Sequence, residues 1–204
     1  MARVLLCVPT FENIYPDTFK SLWDMDKGDH EVDFEFVRGY DCATARNNCV
    51  QRMLDGGYDY LMMVDNDVTV PEDALLNLME HGKQVVSGYY AHRNKDNPGN
   101  STTNLCKMGE FNYTKQYTGE ELRGLLAQGK VLIRIHGGGM GCILIRRDVI
   151  ELLKFPWYDW VNYLNGTMLS EDLFFCERCK TAKVKLYADT RVACGHMFRY
   201  IHEV

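Results

Sequence analysis

The stretch Tyr60-Leu61-Met62-Met63-Val64-Asp65-Asn66-Asp67 decides the fold class of this chain. Its first five residues form an unbroken run of apolar and aromatic side chains, which is typical of a central parallel strand covered on both faces. The run stops abruptly at two carboxylates that are two residues apart. Because side chains at such positions leave a strand on the same side, Asp65 and Asp67 are expected to face one crevice.

Strand and helix patterns alternate around this stretch. Apolar or strictly alternating residues predict three further strands, at residues 3–8, 31–36 and 84–90. Asp41 can cap a helix that ends at Gly56-Gly57, and Pro71 can begin another. This order predicts an α/β fold with a doubly wound, mostly parallel sheet and helices on both faces. Ligands of such sheets bind at the carboxyl ends of the strands.

The second half of the chain resumes the pattern after an interruption. Residues 91–130 are rich in polar and turn-forming residues, with one short helix opened by the capping box of Thr118 and Glu121. A helix is predicted to begin after Ser170. Further strands are predicted at residues 131–135, 142–145 and 184–187. No repeat, low-complexity tract or linker divides the chain, so residues 1–204 are expected to form a single domain.

Composition excludes several classes of protein. Of the 204 residues 46% are hydrophobic, which fits one globular domain, and the net charge of −5 gives no reason to expect a nucleic-acid partner. No apolar stretch approaches the roughly 20 residues of a membrane-spanning helix. Without a targeting segment, the expected location is cytoplasmic. Composition leaves the oligomeric state open.

The eight cysteines suggest two different readings. Most lie in or beside apolar periodic segments, as reduced thiols in a cytosolic core do. Alternatively, Cys176, Cys179, Cys194 and His196 offer four ligands for zinc. Paired zinc ligands usually lie in loops, whereas Cys176 and Cys179 fall inside a helical pattern, so reduced core thiols are favoured.

Asp65 and Asp67 form a site with a clear chemical preference. Two oxygen ligands at the mouth of a crevice suit Mg²⁺ or Mn²⁺, whose other coordination positions can be filled by the phosphates of a substrate. The competing interpretation is a turn in which two aspartates merely end a strand. The strand before them and the helix start after them favour the metal site.

The chain resembles the family-2 type of GT-A glycosyltransferases, whose fold is Rossmann-like. The D-x-D of that family matches Asp65-Asn66-Asp67, followed by Pro71 and Asp73. The other similar segments occur in the order that the family shows. They are Val8-Pro9-Thr10, Ala45-Arg46-Asn47, residues 86–90 with Arg93, residues 138–141 with Arg146-Arg147, Ser170-Glu171-Asp172, and His196.

The resemblance implies an activity and an organisation. The activity is transfer of a sugar from a nucleotide-sugar donor, a UDP-sugar in preference to a GDP-sugar, to a hydroxyl acceptor. Residues 1–90 would form the nucleotide-binding half, 91–130 a variable insertion and 131–204 the acceptor and catalytic half. Mn²⁺ or Mg²⁺ would be held by Asp65, Asp67 and His196. The nucleotide would contact Pro9, Thr10, Glu12, Arg46 and Asn66.

Asp172 and Glu171 are the expected catalytic residues. By resemblance, Asp172 removes the acceptor proton in an inverting reaction, while Glu171 orients the acceptor. Acids in the first turn of a helix are also common for purely structural reasons, since the helix dipole favours them. Both readings stay open at the level of sequence.

The sugar and the acceptor are expected to contact a glycine-rich turn and an aromatic segment. Glycines let backbone approach a ligand closely, and indole rings stack well on sugar faces, although both features also occur in ordinary loops and cores. The candidate residues are Gly138, Gly139, Met140, Trp157 and Trp160.

Two other functions compete with glycosyl transfer. A sugar-phosphate nucleotidyltransferase would carry a glycine-rich basic loop after the first strand, where this chain has Pro9-Thr10-Phe11-Glu12. A non-catalytic carbohydrate-binding or nucleotide-binding module would have no need of the full set of Asp65, Asp67, Asp172 and His196. Both are therefore disfavoured.

Overall fold

A seven-stranded sheet lies at the centre of this α/β fold, as the computed structural model shows. The structure describes residues 1–11, 13–92, 102–109 and 113–197, which contain six helices and fourteen strands. None of the described helices is long and apolar enough to cross a bilayer. The predicted Glu12 and Arg93 lie outside the described residues.

The elements are numbered along the chain. The helices are α1 (Pro16–Asp24), α2 (Cys42–Gly56), α3 (Ala74–Glu80), α4 (Gly119–Ala127), α5 (Arg147–Leu153) and α6 (Glu171–Thr181). The strands are β1 (Arg3–Thr10), β2 (Glu31–Arg38), β3 (Tyr60–Val64), β4 (Val68–Thr69), β5 (Val85–Tyr89), β6 (Thr102–Cys106), β7 (Gln116–Thr118), β8 (Leu132–Ile135), β9 (Gly137–Gly138), β10 (Cys142–Arg146), β11 (Val161–Asn162), β12 (Met168–Leu169), β13 (Leu186–Ala193) and β14 (Gly195–His196).

The central sheet has the order β2-β1-β3-β10-β5-β13-β8. Five strands run in one direction, while β10 and β8 run against them, so the mostly parallel sheet is confirmed. Strand β10 pairs with β3 on one side and with β5 on the other. The sequence of the first 90 residues gives no sign that a later strand lies between these two. The pairing of β10 with Val64 brings the glycine-rich turn before Cys142 beside Asp65.

Helices cover both faces of the sheet, as predicted. Leu61 and Met63 of β3 belong to a core shared with α2, α5 and α6, whereas Met62 and Val64 belong to a second core shared with α1 and α3. This alternation explains the unbroken apolar run of β3, because every residue after Tyr60 meets one core or the other. Full burial of such a side chain contributes about 1.5–3 kcal/mol.

The helix signals around the cleft act as expected. The side chain of Asp41 accepts a hydrogen bond from the backbone N–H of Thr44 at 2.8 Å, and α2 ends at Gly57 in the left-handed region with φ +69°. Helix α3 begins at Ala74, three residues after Pro71, because residues 71–73 form a turn first. Two short helices, α1 and α5, are additions to the predicted set.

Candidate active site

A cleft of about 300 Å³ opens at the carboxyl ends of β1 and β3. It is lined by residues from three segments: 9–11 at the end of β1, 39–46 around the start of α2, and 65–67 after β3. The structure thus brings six predicted site residues together in one cavity. They are Pro9, Thr10, Arg46, Asp65, Asn66 and Asp67.

Arg46 lies at the floor of this cleft and is only 3% exposed. Its Nη2 is 3.0 Å from Asp65 Oδ1, and its Nε is 3.5 Å from Glu171 Oε1 and 3.3 Å from Asp172 Oδ1. A single guanidinium therefore joins the D-x-D turn to the start of α6. The resemblance assigns Arg46 to the nucleotide, but the structure directs its charge to three carboxylates.

The ionisation of this cluster reflects its burial and its unequal charges. Burial alone would lower the pKa of Arg46, but the carboxylates of Asp65, Asp172 and Glu171 raise that pKa well above its ordinary value. Burial, with repulsion from Glu171 and Asp65, raises the pKa of Asp172 to about 7 against the opposing attraction of Arg46. Because one positive charge does not balance three negative ones, Arg46 does not offset the effect of burial on Asp172.

The two oxygens of Asp172 differ in their surroundings. Oδ1 is buried on the side of Arg46, at ion-pair distance but without a well-aligned hydrogen bond. The side chain as a whole is still 21% exposed, and a Cβ on Gly139 would lie 3.5 Å from its Oδ2. Glu171, in contrast, is 4% exposed and faces Arg46. Asp172 is therefore the more exposed of the two acids.

Asp67 faces His196 instead of Arg46. Strand β14 pairs with β4, and the backbone N–H of Met197 donates to the Asp67 carbonyl at 2.8 Å, which brings residues 195–197 to the D-x-D turn. His196 Nε2 lies 3.8 Å from Asp67 Oδ2. His196 Nδ1 is 2.9 Å from the Ala91 carbonyl, which can only accept, so Nδ1 carries the proton.

This arrangement fits a divalent metal at Asp67 and His196. Histidines that bind metals usually donate their second ring N–H to a carbonyl or carboxylate, and the bond to Ala91 does so here while Nε2 faces Asp67. A carboxylate with a neutral imidazole suits Mn²⁺. The ligand atoms of Asp65, Asp67 and His196 do not all lie within 4.8 Å of one another, since Asp65 is turned to Arg46.

Asn66, between the two aspartates, secures the loop after β1. Its side-chain amide donates to the backbone carbonyl of Asn13 at 2.6 Å. The backbone carbonyl of Asn66 accepts from the Tyr15 N–H at 3.0 Å. Thr10 adds a hydroxyl bond to the same Asn13 carbonyl at 2.9 Å. Both predicted nucleotide contacts thus line the cleft while also fixing the shape of its wall.

The glycine-rich turn borders Asp172 closely. A Cβ on Gly139 would lie 2.5 Å from the Tyr90 hydroxyl and 3.5 Å from Asp172 Oδ2. Gly141 donates its N–H to the Tyr90 hydroxyl at 3.1 Å and accepts at its carbonyl from the Asp65 N–H at 3.0 Å. Met140 is buried. Sequence patterns give no sign of the role of Tyr90, which holds this turn against the D-x-D.

The aromatic segment splits between core and surface. Trp157 is buried, and its indole N–H donates to the Ile150 carbonyl at 2.9 Å, so its ring is enclosed and not presented to a sugar. Of the two interpretations open for Trp157, the core interpretation fits its position. Trp160 is 37% exposed and keeps a face toward solvent.

A second group of metal-type ligands lies elsewhere, between α3 and β13. Among the described residues, ligand atoms of Glu80, His81 and Asp189 lie within 4.8 Å of one another. The guanidinium of Arg191 pairs with both Glu80 and Asp189. Because this cation already pairs with both carboxylates, we interpret the group as an ion-pair network and not as a metal centre.

The cysteines follow the reduced-thiol interpretation. All eight are free, and Cys176 and Cys179 are fully buried in α6. Burial raises the pKa of the Cys176 thiol to about 12, which opposes the thiolate form that zinc requires. Since His196 faces Asp67 and Ala91, the four candidate zinc ligands do not form one site.

Comparisons with known proteins bear on the fold. Neither a protein-family model nor a curated protein sequence matches the chain. The crystal structure of A197 from STIV matches with a TM-score of 0.64 at 22% identity, over 97% of this chain and 86% of that one. GalNAc-T7, crystallised with UDP, GalNAc and Mn²⁺, matches with a TM-score of 0.64 at 11% identity, over 97% of this chain and 44% of its own. Identities this low show the fold alone, and the expected GT-A-like fold is confirmed.

We expect Gly139→Ala to lower the free energy of unfolding by about 1–3 kcal/mol, because the new methyl group overlaps the Tyr90 hydroxyl and must displace it or the turn. Urea unfolding measures this cost. The matched control is Gly124→Ala in α4, where an added Cβ meets nothing within 4 Å, so helix propensity should stabilise that variant by up to about 1 kcal/mol. Equal effects of the two substitutions would contradict the close packing of the turn.

Proposed function

We propose that the protein is a metal-dependent glycosyltransferase that moves a sugar from a nucleotide-sugar, preferably a UDP-sugar, to a hydroxyl acceptor with inversion. The observation that carries the proposal is one continuous set of contacts along the cleft. His196 faces Asp67, the D-x-D turn continues to Asp65, and Arg46 joins Asp65 to Asp172. Asp67, Asp65 and Arg46 line the cleft, and His196 and Asp172 adjoin it through Asp67 and Arg46.

Asp67 and His196 would hold the metal. Asp65 lies next to this pair, on the other side of Asn66. When bound, Mn²⁺ or Mg²⁺ neutralises the negative charge that builds up on the departing nucleoside diphosphate. The fold neighbour GalNAc-T7 was crystallised with Mn²⁺ and UDP, which supports this class of donor. The net charge of −5 supplies no general attraction for phosphates, so their recognition has to be local.

Asp172 would accept the proton of the acceptor hydroxyl at Oδ2, since Oδ1 faces Arg46. A general base works best when its pKa is close to the working pH, and burial raises the pKa of Asp172 to about 7. Glu171 is enclosed beside Arg46, so we assign it to holding the guanidinium in place and not to orienting the acceptor. A Cβ on Gly139 would lie 3.5 Å from Oδ2, so glycine at this position adds no side chain beside that oxygen.

A thermal-shift series with nucleoside diphosphates tests this function. We expect UDP with Mn²⁺ to raise the melting temperature, because a ligand present at 100 times its Kd stabilises the native state by about 2.7 kcal/mol. For a chain of this size, each kcal/mol corresponds to about 2–4 °C. GDP, UDP with a chelator, and Mn²⁺ alone serve as controls. No shift with any nucleoside diphosphate in the presence of Mn²⁺ would contradict the proposal.

A further inference from the structure

Strand β2 is an edge of the central sheet, since only β1 pairs with it among the described strands. Glu31 donates its N–H to the Ala2 carbonyl on the β1 side at 3.0 Å. Alternate residues of a parallel strand direct their backbone groups to the same neighbour. The N–H and C=O groups of Val32, Phe34 and Phe36 consequently point outward, and these groups define the outer edge of β2.

An aromatic face adjoins the outer edge on the side of α1. It consists of Phe19, Trp23, Phe34 and Phe36, whose rings contact one another with centroid distances of 4.8–6.4 Å. All four are exposed, with Trp23 at 72%, and Phe19, Trp23 and Phe34 border a groove of about 130 Å³. Exposed apolar groups gathered in this way mark an interaction surface more often than scattered ones do.

The opposite side of β2 carries an acidic ladder of Glu31, Asp33 and Glu35. Arg3 and Arg52 pair with the two glutamates, and Asp33 accepts from the Tyr58 hydroxyl at 2.6 Å, but each carboxylate can accept further hydrogen bonds. The wider segment, residues 16–36, holds seven acidic and two basic residues. It therefore accounts for the whole net charge of −5.

We propose that the outer edge of β2 binds an extended segment of another protein in which basic and apolar residues alternate. Such a segment would add a strand to the sheet by backbone hydrogen bonds. Because side chains alternate between the two sides of a strand, its apolar residues would lie beside Phe34 and Phe36 while its basic residues lie beside the acidic ladder. This inference does not depend on the proposed glycosyl transfer.

Charge argues against two other occupants of the same surface. A second copy of the chain, pairing antiparallel through β2, would bring one acidic ladder against the other, and like charges opposite each other destabilise a sheet. An anionic membrane surface would be repelled by the acidic residues of the 16–36 segment. An alternating basic segment is the occupant that meets both sides of the strand favourably.

Fluorescence anisotropy with a labelled heptapeptide of alternating lysine and valine tests this inference. We expect Phe34→Ala to weaken binding to a modest extent through the lost ring contact. Phe34→Pro should weaken it by a further factor of about ten, since proline also removes an outward N–H that β1 does not use. Phe155→Ala, at an exposed aromatic elsewhere, should bind like the wild type.

Two probes avoid any folding defect of the proline variant. Methylating alternate backbone nitrogens of the peptide should abolish its binding to the wild-type protein, and a glutamate–valine heptapeptide should bind at least about tenfold more weakly. The proposal is overturned if the methylated or the acidic peptide binds as well as the basic one. It is also overturned if sedimentation shows a dimer that Phe34→Pro dissociates, or if the aromatic face binds anionic phosphatidylserine vesicles instead of the peptide.

Discussion

Asp172→Asn is expected to lower kcat by about 10²- to 10⁴-fold while leaving the affinity for the donor nucleotide unchanged, because a general base acts on the acceptor proton only as the transition state forms. The amide keeps the shape of the side chain but cannot take up that proton. Steady-state kinetics with a sugar acceptor, combined with calorimetry of nucleotide binding, separate the two quantities. Turnover close to that of the wild type would assign Asp172 a structural role.

The same substitution should stabilise the fold at alkaline pH. Burial raises the pKa of Asp172 to about 7, above its ordinary value of 3.8, so the native protein holds this proton more tightly than the unfolded chain does. The resulting stabilisation is complete below about pH 4 and disappears as the pH rises through about 7. Asp172→Asn should therefore melt above the wild type at pH 8, and this gain should shrink toward pH 4. A purely dipole-stabilising acid predicts a loss of about 0.3–1 kcal/mol instead.

Arg46→Met is expected to lower the free energy of unfolding by about 3–5 kcal/mol at pH 7, since it leaves Asp65, Glu171 and Asp172 without their shared cation. The free energy of unfolding of a typical domain is only about 5–15 kcal/mol, so this loss is a large part of it. Urea denaturation measures the loss. The turnover of any folded variant should also fall, because the orientation of Asp172 depends on the guanidinium.

Arg52→Met provides the matched control for this experiment. Arg52 lies on the same helix, α2, but is about half exposed and pairs with the single carboxylate of Glu35, so its loss should cost less than about 1 kcal/mol. If the two variants unfold alike and Arg46→Met loses nucleotide binding, Arg46 contacts the nucleotide, as the sequence resemblance implies.

Local sequence patterns predict the elements around the cleft because each carries its own signal. The apolar run of β3, the cap at Asp41 and the capping box at Thr118 all depend on neighbours within a few residues, and the structure has each of them. Helix α1 also carries such a signal, with Pro16 in its first turn, and could have been predicted. The place of β10 between β3 and β5 could not, since it depends on pairing between distant segments.

The site shows the same division between local and distant information. Asp65 and Asp67 are recognisable from a strand end, but nothing local indicates that one faces Arg46 and the other His196. Arg46 reads as a surface helix residue near Asp41 because its other partners, Glu171 and Asp172, come from the far end of the chain. From sequence, Trp157 is a candidate for sugar contact because its sequence neighbours do not show that the core encloses it. That enclosure depends on segments far away in the sequence.

Calorimetric titration of UDP with and without Mn²⁺ tests the proposed metal-dependent nucleotide site at Asp67 and His196. We expect Mn²⁺ to tighten UDP binding by about 5- to 150-fold, the usual range of coupling between two bound ligands. Asp67→Asn and His196→Ala should each remove this coupling, whereas Asp73→Asn, at an exposed acid in the turn before α3, should keep it. Equal UDP affinity with and without Mn²⁺ in the wild type, or full coupling in both site variants, would contradict the account.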